Sequence, residues 1–109
     1  PSDCNNNGDI FGGWVLSQMD MAGGIMAARR ANGRTVTVAV EAMTFHQPIK
    51  VGDVVSIYGE IERVGRTSVA VKLTTIVTRK LDPEEIKVTE GTYVFVAIDD
   101  EGKPRPVDQ

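Results

Sequence analysis

The sequence predicts an α+β fold in which one long central helix is wrapped by a curved antiparallel β-sheet. Apolar residues first recur at helical spacing, in a proline-free stretch from Ile10 to about Ala31. Beyond Gly33 they alternate with polar residues, as in half-buried strands. The chain has 109 residues, enough for one domain with a small core, which we place at 1–109.

The predicted helix carries signals at both ends. Asp9 is a candidate N-cap, and Asn32-Gly33 is a candidate C-terminal stop. Apolar residues occur on more than one side, so we expect a central helix that is covered over much of its circumference. These residues are Val15, Leu16, Met19, Ala22 and Met26 in the main stripe, with Trp14, Met21 and Ile25 beyond it.

Strands are predicted where the apolar period changes to two. Val36, Val38 and Val40 alternate with small or polar residues, and the same alternation returns at 69–73. Four or five antiparallel strands are expected, at 35–41, 54–62, 68–74, 75–79 and 92–98, separated by turns at 48–53, 64–66, 81–85 and 99–102. A single sheet around one helix leaves its edges uncovered, so we expect a homodimer that extends the sheet.

The composition argues against several kinds of partner. The net charge of -3 gives no general attraction to nucleic acid or to an acidic membrane. Neither a membrane-spanning apolar run nor a signal peptide is visible. Cys4 is the only cysteine, which excludes an intrachain disulfide and a cysteine zinc site and fits the reducing cytoplasm. The chain begins at Pro1 and not at Met, so we expect an element upstream.

One long motif points to a family. The segment 7–24, NGDIFGGWVLSQMDMAGG, resembles the signature of hotdog-fold acyl-CoA thioesterases, most closely the small bacterial broad-specificity branch called YciA-type. Further matches are 36–41 followed by Phe45, 48–55 and 64–68. The resemblance implies a hotdog fold, a strand upstream of residue 1, and hydrolysis of acyl-CoA without a cofactor or metal ion. It also implies sites shared between two subunits, commonly within trimers of dimers.

Asp20 is the candidate catalytic residue. It interrupts an otherwise apolar helix, where a carboxylate without partners is costly, so it is either exposed, satisfied by hydrogen bonds or used in chemistry. The resemblance aligns Asp20 with the family's helix-borne carboxylate, acting as general base or as nucleophile. Gly12 and Gly13 lie in the first helical turn, where free backbone amides could hold an oxyanion; simple loop-to-helix packing is the alternative.

The remaining candidate residues would bind the substrate. Arg66 and its neighbours Gly65, Thr67 and Ser68 form a turn that could bind a CoA phosphate, unless Arg66 is a solvated hairpin arginine. Arg79 and Lys80 are second choices for that contact. Phe45 is expected to line the acyl pocket or the core. The list of candidates closes with the polar residues Asn7 and Asp9, whose assignment rests on the family alone.

Two other functions compete with hydrolysis. A hydratase or dehydratase of the same fold would pair a loop histidine with the helix carboxylate, but the only histidine, His46, follows a strand. We interpret His46 as a surface or subunit-contact residue and not as a metal ligand. A noncatalytic acyl-CoA-binding module would tolerate an apolar residue at position 20, so Asp20 favours an enzyme.

Overall fold

A computed structural model describes residues 9–10, 12–79 and 84–108. Its helix packs mainly against β5 and also contacts β2, β4 and β6, which confirms the predicted α+β architecture. Four strands form an antiparallel sheet in the order β2-β6-β5-β4, and β1 pairs with β3 in a separate two-stranded ribbon. The elements are β1 Asp9–Ile10, α1 Gly12–Ala31, β2 Thr35–Phe45, β3 Ile49–Lys50, β4 Val54–Val64, β5 Ser68–Thr78 and β6 Glu85–Ala97.

The two ends of α1 differ in how well the sequence predicted them. The helix begins at Gly12, so the prediction of Asp9 as N-cap is wrong: the backbone of Asp9 pairs with Lys50 across the β1–β3 ribbon instead. The C-terminal stop is confirmed. Asn32 adopts a φ of 53°, and the amide of Gly33 donates to the carbonyl of Ala28 at 3.1 Å, as in a Schellman motif.

One stripe of α1 is left exposed by this chain. Every fourth residue is buried against the sheet, whereas Met21 and Ile25 are 61% and 56% exposed. The predicted covering of much of the circumference is therefore confirmed except along the stripe of Ser17, Met21, Ile25 and Arg29 and near the helix ends. The buried helical positions are Val15, Met19, Gly23, Ala27 and Ala31.

The strands are longer than their sequence patterns. β5 runs without interruption through both segments predicted at 68–74 and 75–79. β6 begins at Glu85 and not at 92, because residues 85–90 pair with the second half of β5 despite their polar composition. The predicted turn at 48–53 contains the short strand β3.

β2 is an edge strand with a break in its alternation. The register shifts between Thr37 and Ala39, so Val38 is an extra residue, and a second shift near Ala42 accompanies a φ of 51°. The predicted strand exists, but its valines at 36, 38 and 40 remain 42%, 55% and 48% exposed. An exposed apolar edge of this kind is suited to pairing with another strand.

The core lies between α1 and the central strands. Gly23 allows the closest approach, since a Cβ there would lie 2.8 Å from Cδ1 of Leu73 and 3.0 Å from Cζ of Phe95. A Cβ on Gly24 would lie 3.7 Å from Cε2 of Phe95, an ordinary contact, so of these two glycines only Gly23 requires the absence of a side chain. The other core residues on the strands include Val69, Val71, Val77, Tyr93 and Ala97. No described helix combines the length and hydropathy of a transmembrane segment.

Candidate active site

Asp20 lies in the middle of α1, half-buried, at the junction between the helix and β2. The hydroxyl of Thr37 donates a hydrogen bond to its Oδ1 at 2.5 Å. Thr37 is paired with Phe95, whose ring is in the core, so the threonine is on the helix-facing side of the sheet. The sequence analysis missed Thr37, because its proximity to Asp20 depends on the fold and not on spacing.

A cleft of about 570 Å³ opens beside Asp20. Its walls are mainly apolar, with Met21, Gly24 and Ile25 from the helix and Phe95 from the sheet, and Arg34 lies at its border. An apolar cleft with one carboxylate is the arrangement expected for placing an apolar substrate against a base or nucleophile.

Tyr93 supports the turn of the helix that precedes Asp20. Its ring is 2% exposed, and its hydroxyl donates to the carbonyl of Leu16 at 2.7 Å. Burial, and secondarily the charge of Asp20, raise the pKa of Tyr93 to about 12. Tyr93 therefore stays protonated and acts as a neutral donor. Sequence analysis did not identify it, because an aromatic residue in a predicted strand is more simply explained by the core.

Gly12 and Gly13 stand exposed at the start of α1. The ring of Phe45 lies beside them, 3.4 Å from the position of a Cβ on Gly12. Eight residues separate Gly12 from Asp20, which is about 12 Å along the helix axis. A reacting carbon must lie about 3 Å from both the nucleophile and the oxyanion donors. The amides of Gly12 and the carboxylate of Asp20 in one chain therefore cannot act on the same thioester.

The turn that contains Arg66 lies at the end of the sheet opposite to Phe45. The amide of Gly65 donates to the carbonyl of Ser68 at 2.8 Å, which closes the turn between β4 and β5. The carbonyls of Arg66 and Thr67 accept hydrogen bonds from Val107 and Ala97, both at 2.8 Å. The main chain is thus fixed, while the exposed Arg66 guanidinium has no hydrogen-bond or ion-pair partner among the described residues.

The other predicted residues are not brought to Asp20. Asn7 and Lys80 lie outside the described residues, and only the backbone of Asp9 is described. Arg79 is held by Asp53 and by the carbonyl of Pro48, so its guanidinium is engaged within the chain and the prediction of a second phosphate contact there is not supported. His46 lies at the surface with Nε2 3.0 Å from Glu90.

Metal-binding groups do not cluster in the part of the chain that the structure describes: no three histidine, cysteine, aspartate or glutamate side chains lie close enough together to hold an ion. Glu90 instead contacts the side chains of His46 and Lys87. Its hydrogen bonds with His46 and Lys87 hold the pKa of the Glu90 carboxyl below its usual value.

Comparisons with known proteins agree on one family. A profile of the thioesterase superfamily matches residues 7–76. The acyl-CoA thioester hydrolase YciA of Escherichia coli strain K12 is 50% identical over 96% of this chain and 82% of its own length. Among solved structures, an aspartate-to-alanine variant of HI0827, a hexameric broad-specificity acyl-coenzyme A thioesterase, is 48% identical with a TM-score of 0.93, over 100% of this chain and 81% of that one.

A more distant structure supports the same assignment. Cj0915, a hexameric hotdog fold thioesterase of Campylobacter jejuni, is 37% identical with a TM-score of 0.89, over 97% of this chain and 82% of that one. The motif at 7–24, the helix on an antiparallel sheet and these similarities lead to one conclusion. The chain belongs to the thioesterase superfamily and has its hotdog fold.

Proposed function

We propose that this chain is an acyl-CoA thioesterase, which hydrolyses the thioester to free CoA and a carboxylic acid with Asp20 as general base or nucleophile. The observation that carries this proposal is the Asp20 carboxylate, bound by Thr37 at 2.5 Å on the wall of an apolar cleft. The E. coli relative is an acyl-CoA thioester hydrolase and HI0827 is a broad-specificity thioesterase, which agrees with this chemistry.

Thr37 leaves one oxygen of Asp20 available. Its hydroxyl occupies Oδ1, while Oδ2 accepts no hydrogen bond from another described side chain. As a base, Oδ2 takes a proton from water as the water oxygen attacks the thioester carbon, and the C–S bond then breaks to release CoA thiolate. As a nucleophile, the same oxygen attacks the carbon, and the C–S bond breaks to release CoA thiolate and leave a mixed anhydride. Water then hydrolyses the anhydride to the carboxylic acid and restores the Asp20 carboxylate. Both routes require a carboxylate at position 20.

The oxyanion donors belong to a second subunit in this proposal. Within one chain, Gly12 and Gly13 are too far along the helix from Asp20 to bind the same substrate. The exposed valines of edge strand β2 favour a dimer that continues the sheet. Such a dimer can bring one subunit's helix start to the other's Asp20. Phe45, against Gly12, then lines the acyl side of the site.

CoA binding is assigned to the turn 65–68. Arg66 projects from a main chain that is fixed by hydrogen bonds. Its guanidinium has no partner among the described residues and can therefore bind a phosphate. Gly65 keeps the turn tight, since a Cβ there would lie 2.7 Å from Oγ of Ser68. Thr67 and Ser68 add hydroxyl donors. Asn7 and Asp9 remain proposed polar contacts to the substrate.

The proposed assembly is a homo-oligomer built from dimers, such as a trimer of dimers. HI0827 and Cj0915 are hexameric. Multi-angle light scattering of the full chain at micromolar concentration should give a multiple of the dimer mass. A fully active monomer would overturn both the dimer and the shared site.

The decisive experiment replaces Asp20 by Asn, which keeps the size of the side chain but removes its basic oxygen. We expect kcat for acyl-CoA to fall by about 10²–10⁴-fold, with assembly and CoA affinity retained. Asp108→Asn, which removes an exposed carboxylate paired with Arg30, is the matched control and should retain activity. Turnover of Asp20→Asn within about threefold of the parent contradicts a catalytic carboxylate here.

A second pair of variants tests Thr37. Thr37→Val removes the donor to Asp20 with little change in shape and should lower kcat by about tenfold or more, since hydrogen bonds to charged groups contribute about 1.5–3 kcal/mol. Thr37→Ser keeps the hydroxyl and should recover most of the rate. Equal rates for the two variants would remove Thr37 from the mechanism.

A further inference from the structure

The loop between β2 and β4 is held by one arginine from the end of β5. Nη2 of Arg79 donates to the carbonyl of Pro48 at 3.0 Å, and Nε lies 3.4 Å from Oδ1 of Asp53. The Asp53 side chain is only 5% exposed and that of Arg79 28%, so this ion pair is shielded from solvent far more than the exposed pairs of the surface. Arg79 therefore contacts both ends of the segment 48–53.

Asp53 uses its second oxygen to fold that segment. The amide of Lys50 donates to Oδ2 of Asp53 at 2.8 Å, and the amide of Asp53 donates to the carbonyl of Lys50 at 3.1 Å. Gly52, with a φ of 96°, allows the backbone to turn this tightly. One carboxylate thus joins the Arg79 guanidinium to the main chain of β3.

β3 in turn is the pairing partner of the segment that leads into the helix. Lys50 pairs with Asp9 and Ile49 with Ile10, and Ile49 is 2% exposed. Gly12, the first residue of α1, follows Ile10 by two positions. A series of contacts therefore runs from Arg79 through Asp53 and β3 to β1, the strand that precedes the first turn of α1 along the chain.

We propose that Arg79 and Asp53 form a positioning pair that sets the location of the Gly12 and Gly13 amides relative to the substrate. This inference rests on the proposed role of those amides as oxyanion donors. The pair touches no substrate itself, and its effect passes through the β1–β3 ribbon. A misplacement of about 1 Å in an active site can cost about 10²-fold in rate, so a small shift of the ribbon is sufficient to lower kcat.

The test compares Arg79→Met, Arg79→Lys and Asp53→Asn with Arg30→Met, which breaks an exposed arginine–carboxylate pair near the other end of the helix. Four quantities are measured on the assembled protein: kcat and KM for acyl-CoA, the affinity for free CoA, and the affinity for a CoA trifluoromethyl ketone. In the hydrate of this ketone, the former carbonyl carbon is tetrahedral and carries the oxygen that the oxyanion donors bind.

We expect Arg79→Met and Asp53→Asn to lower kcat by about 10–10²-fold and to lower the affinity for the ketone by a similar factor. KM and the affinity for CoA should stay unchanged. Arg79→Lys should recover part of both losses because it retains the charge. Hydrogen exchange at the Lys50 amide should accelerate in Asp53→Asn. Arg30→Met should match the parent throughout.

Three results would overturn the inference. Unchanged kcat and ketone affinity in Arg79→Met would show that the pair does not position the donors. A selective loss of CoA affinity would make Arg79 a phosphate ligand. If Arg79→Met does not assemble, Arg79→Lys and Asp53→Asn decide. A parallel loss of stability and of all four measured quantities in these variants means a structural role only. Failure of the parent and Arg30→Met to hydrolyse acyl-CoA would instead reject the proposed function.

Discussion

The hydroxyl of Tyr93 lies 2.7 Å from the carbonyl of Leu16, one helical turn before Asp20. In an α-helix that carbonyl also accepts the amide of the residue four positions later, which here is Asp20 itself. β6 is therefore bonded to the helix at the turn that carries the proposed catalytic carboxylate. Because Thr37 pairs with Phe95, two residues from Tyr93, both partners of this turn are placed by the same strand.

Tyr93→Phe should lower the stability of the protein by about 0.5–1.5 kcal/mol, since it removes one hydrogen bond and leaves the ring packed. It should also lower kcat more than it changes KM, because the Asp20 turn loses its bond to the sheet. Urea unfolding and steady-state kinetics measure the two effects. An unchanged kcat would confine Tyr93 to stability.

The same variant gives a test of pH dependence. Folding raises the pKa of Tyr93 from 10 to about 12, so between these values the unfolded chain loses the proton before the folded chain does. The contribution of Tyr93 to stability is thus complete below pH 10 and is lost as the pH rises towards about 12. The difference in unfolding free energy between the parent and Tyr93→Phe should shrink over this range. A constant difference would contradict the shift.

Arg66→Ala should raise KM for acyl-CoA more than for a truncated thioester without the nucleotide, because only CoA offers phosphates. The loss of binding free energy is about 1.5–3 kcal/mol if the contact between Arg66 and the phosphate is desolvated, and less if the contact stays exposed. For an exposed contact, added salt should reduce this loss further. Arg63→Ala is the matched control, since Arg63 is an exposed arginine already paired with Glu41 at 3.1 Å. Equal losses on both substrates would indicate damage to the turn.

Replacing either of the adjacent glycines 23 and 24 by alanine gives the same gain in helix propensity, about 1 kcal/mol, so the two variants can be compared directly. Gly23→Ala should nevertheless lower the unfolding free energy by about 1–2 kcal/mol, because its Cβ would be forced against Leu73 and Phe95. In Gly24→Ala the new Cβ would lie 3.7 Å from Phe95, an ordinary contact, so stability should be equal or higher. Thermal unfolding that shifts in the same direction for both would contradict this packing.

The sequence predicted features that are encoded locally. The helix, its stop at Asn32 and the family motif around Asp20 depend on residues close to one another along the chain, and these predictions are confirmed in the fold and the family. The start of β6 at Glu85 was missed because the polar residues there become a strand only by pairing with β5.

The partners of the site were hidden for a related reason. Thr37 is 17 residues from Asp20, and Tyr93 is 77 residues from Leu16, so neither contact leaves a periodic signal. The Asp9 prediction failed because an N-cap signal in the sequence was overridden by pairing with β3. Local patterns identified the candidate carboxylate, whereas its support depends on the assembled sheet.

The extra residue at Val38 interrupts the regular alternation of side chains between the two faces of β2. On β6, Phe95 and Tyr93 face the helix, and they pair with Thr37 and Val40 of β2. Val96 faces the other side and pairs with Val36. Thr37 and Val40 thus share a face although three positions separate them. If residues 35–37 slipped by one position so that the bulge disappeared, Val38 would pair with Phe95 and Thr37 with Val96, which would turn Thr37 to the far side of the sheet. The bulged register of β2, as much as the residue type at position 37, therefore keeps a hydroxyl beside Asp20.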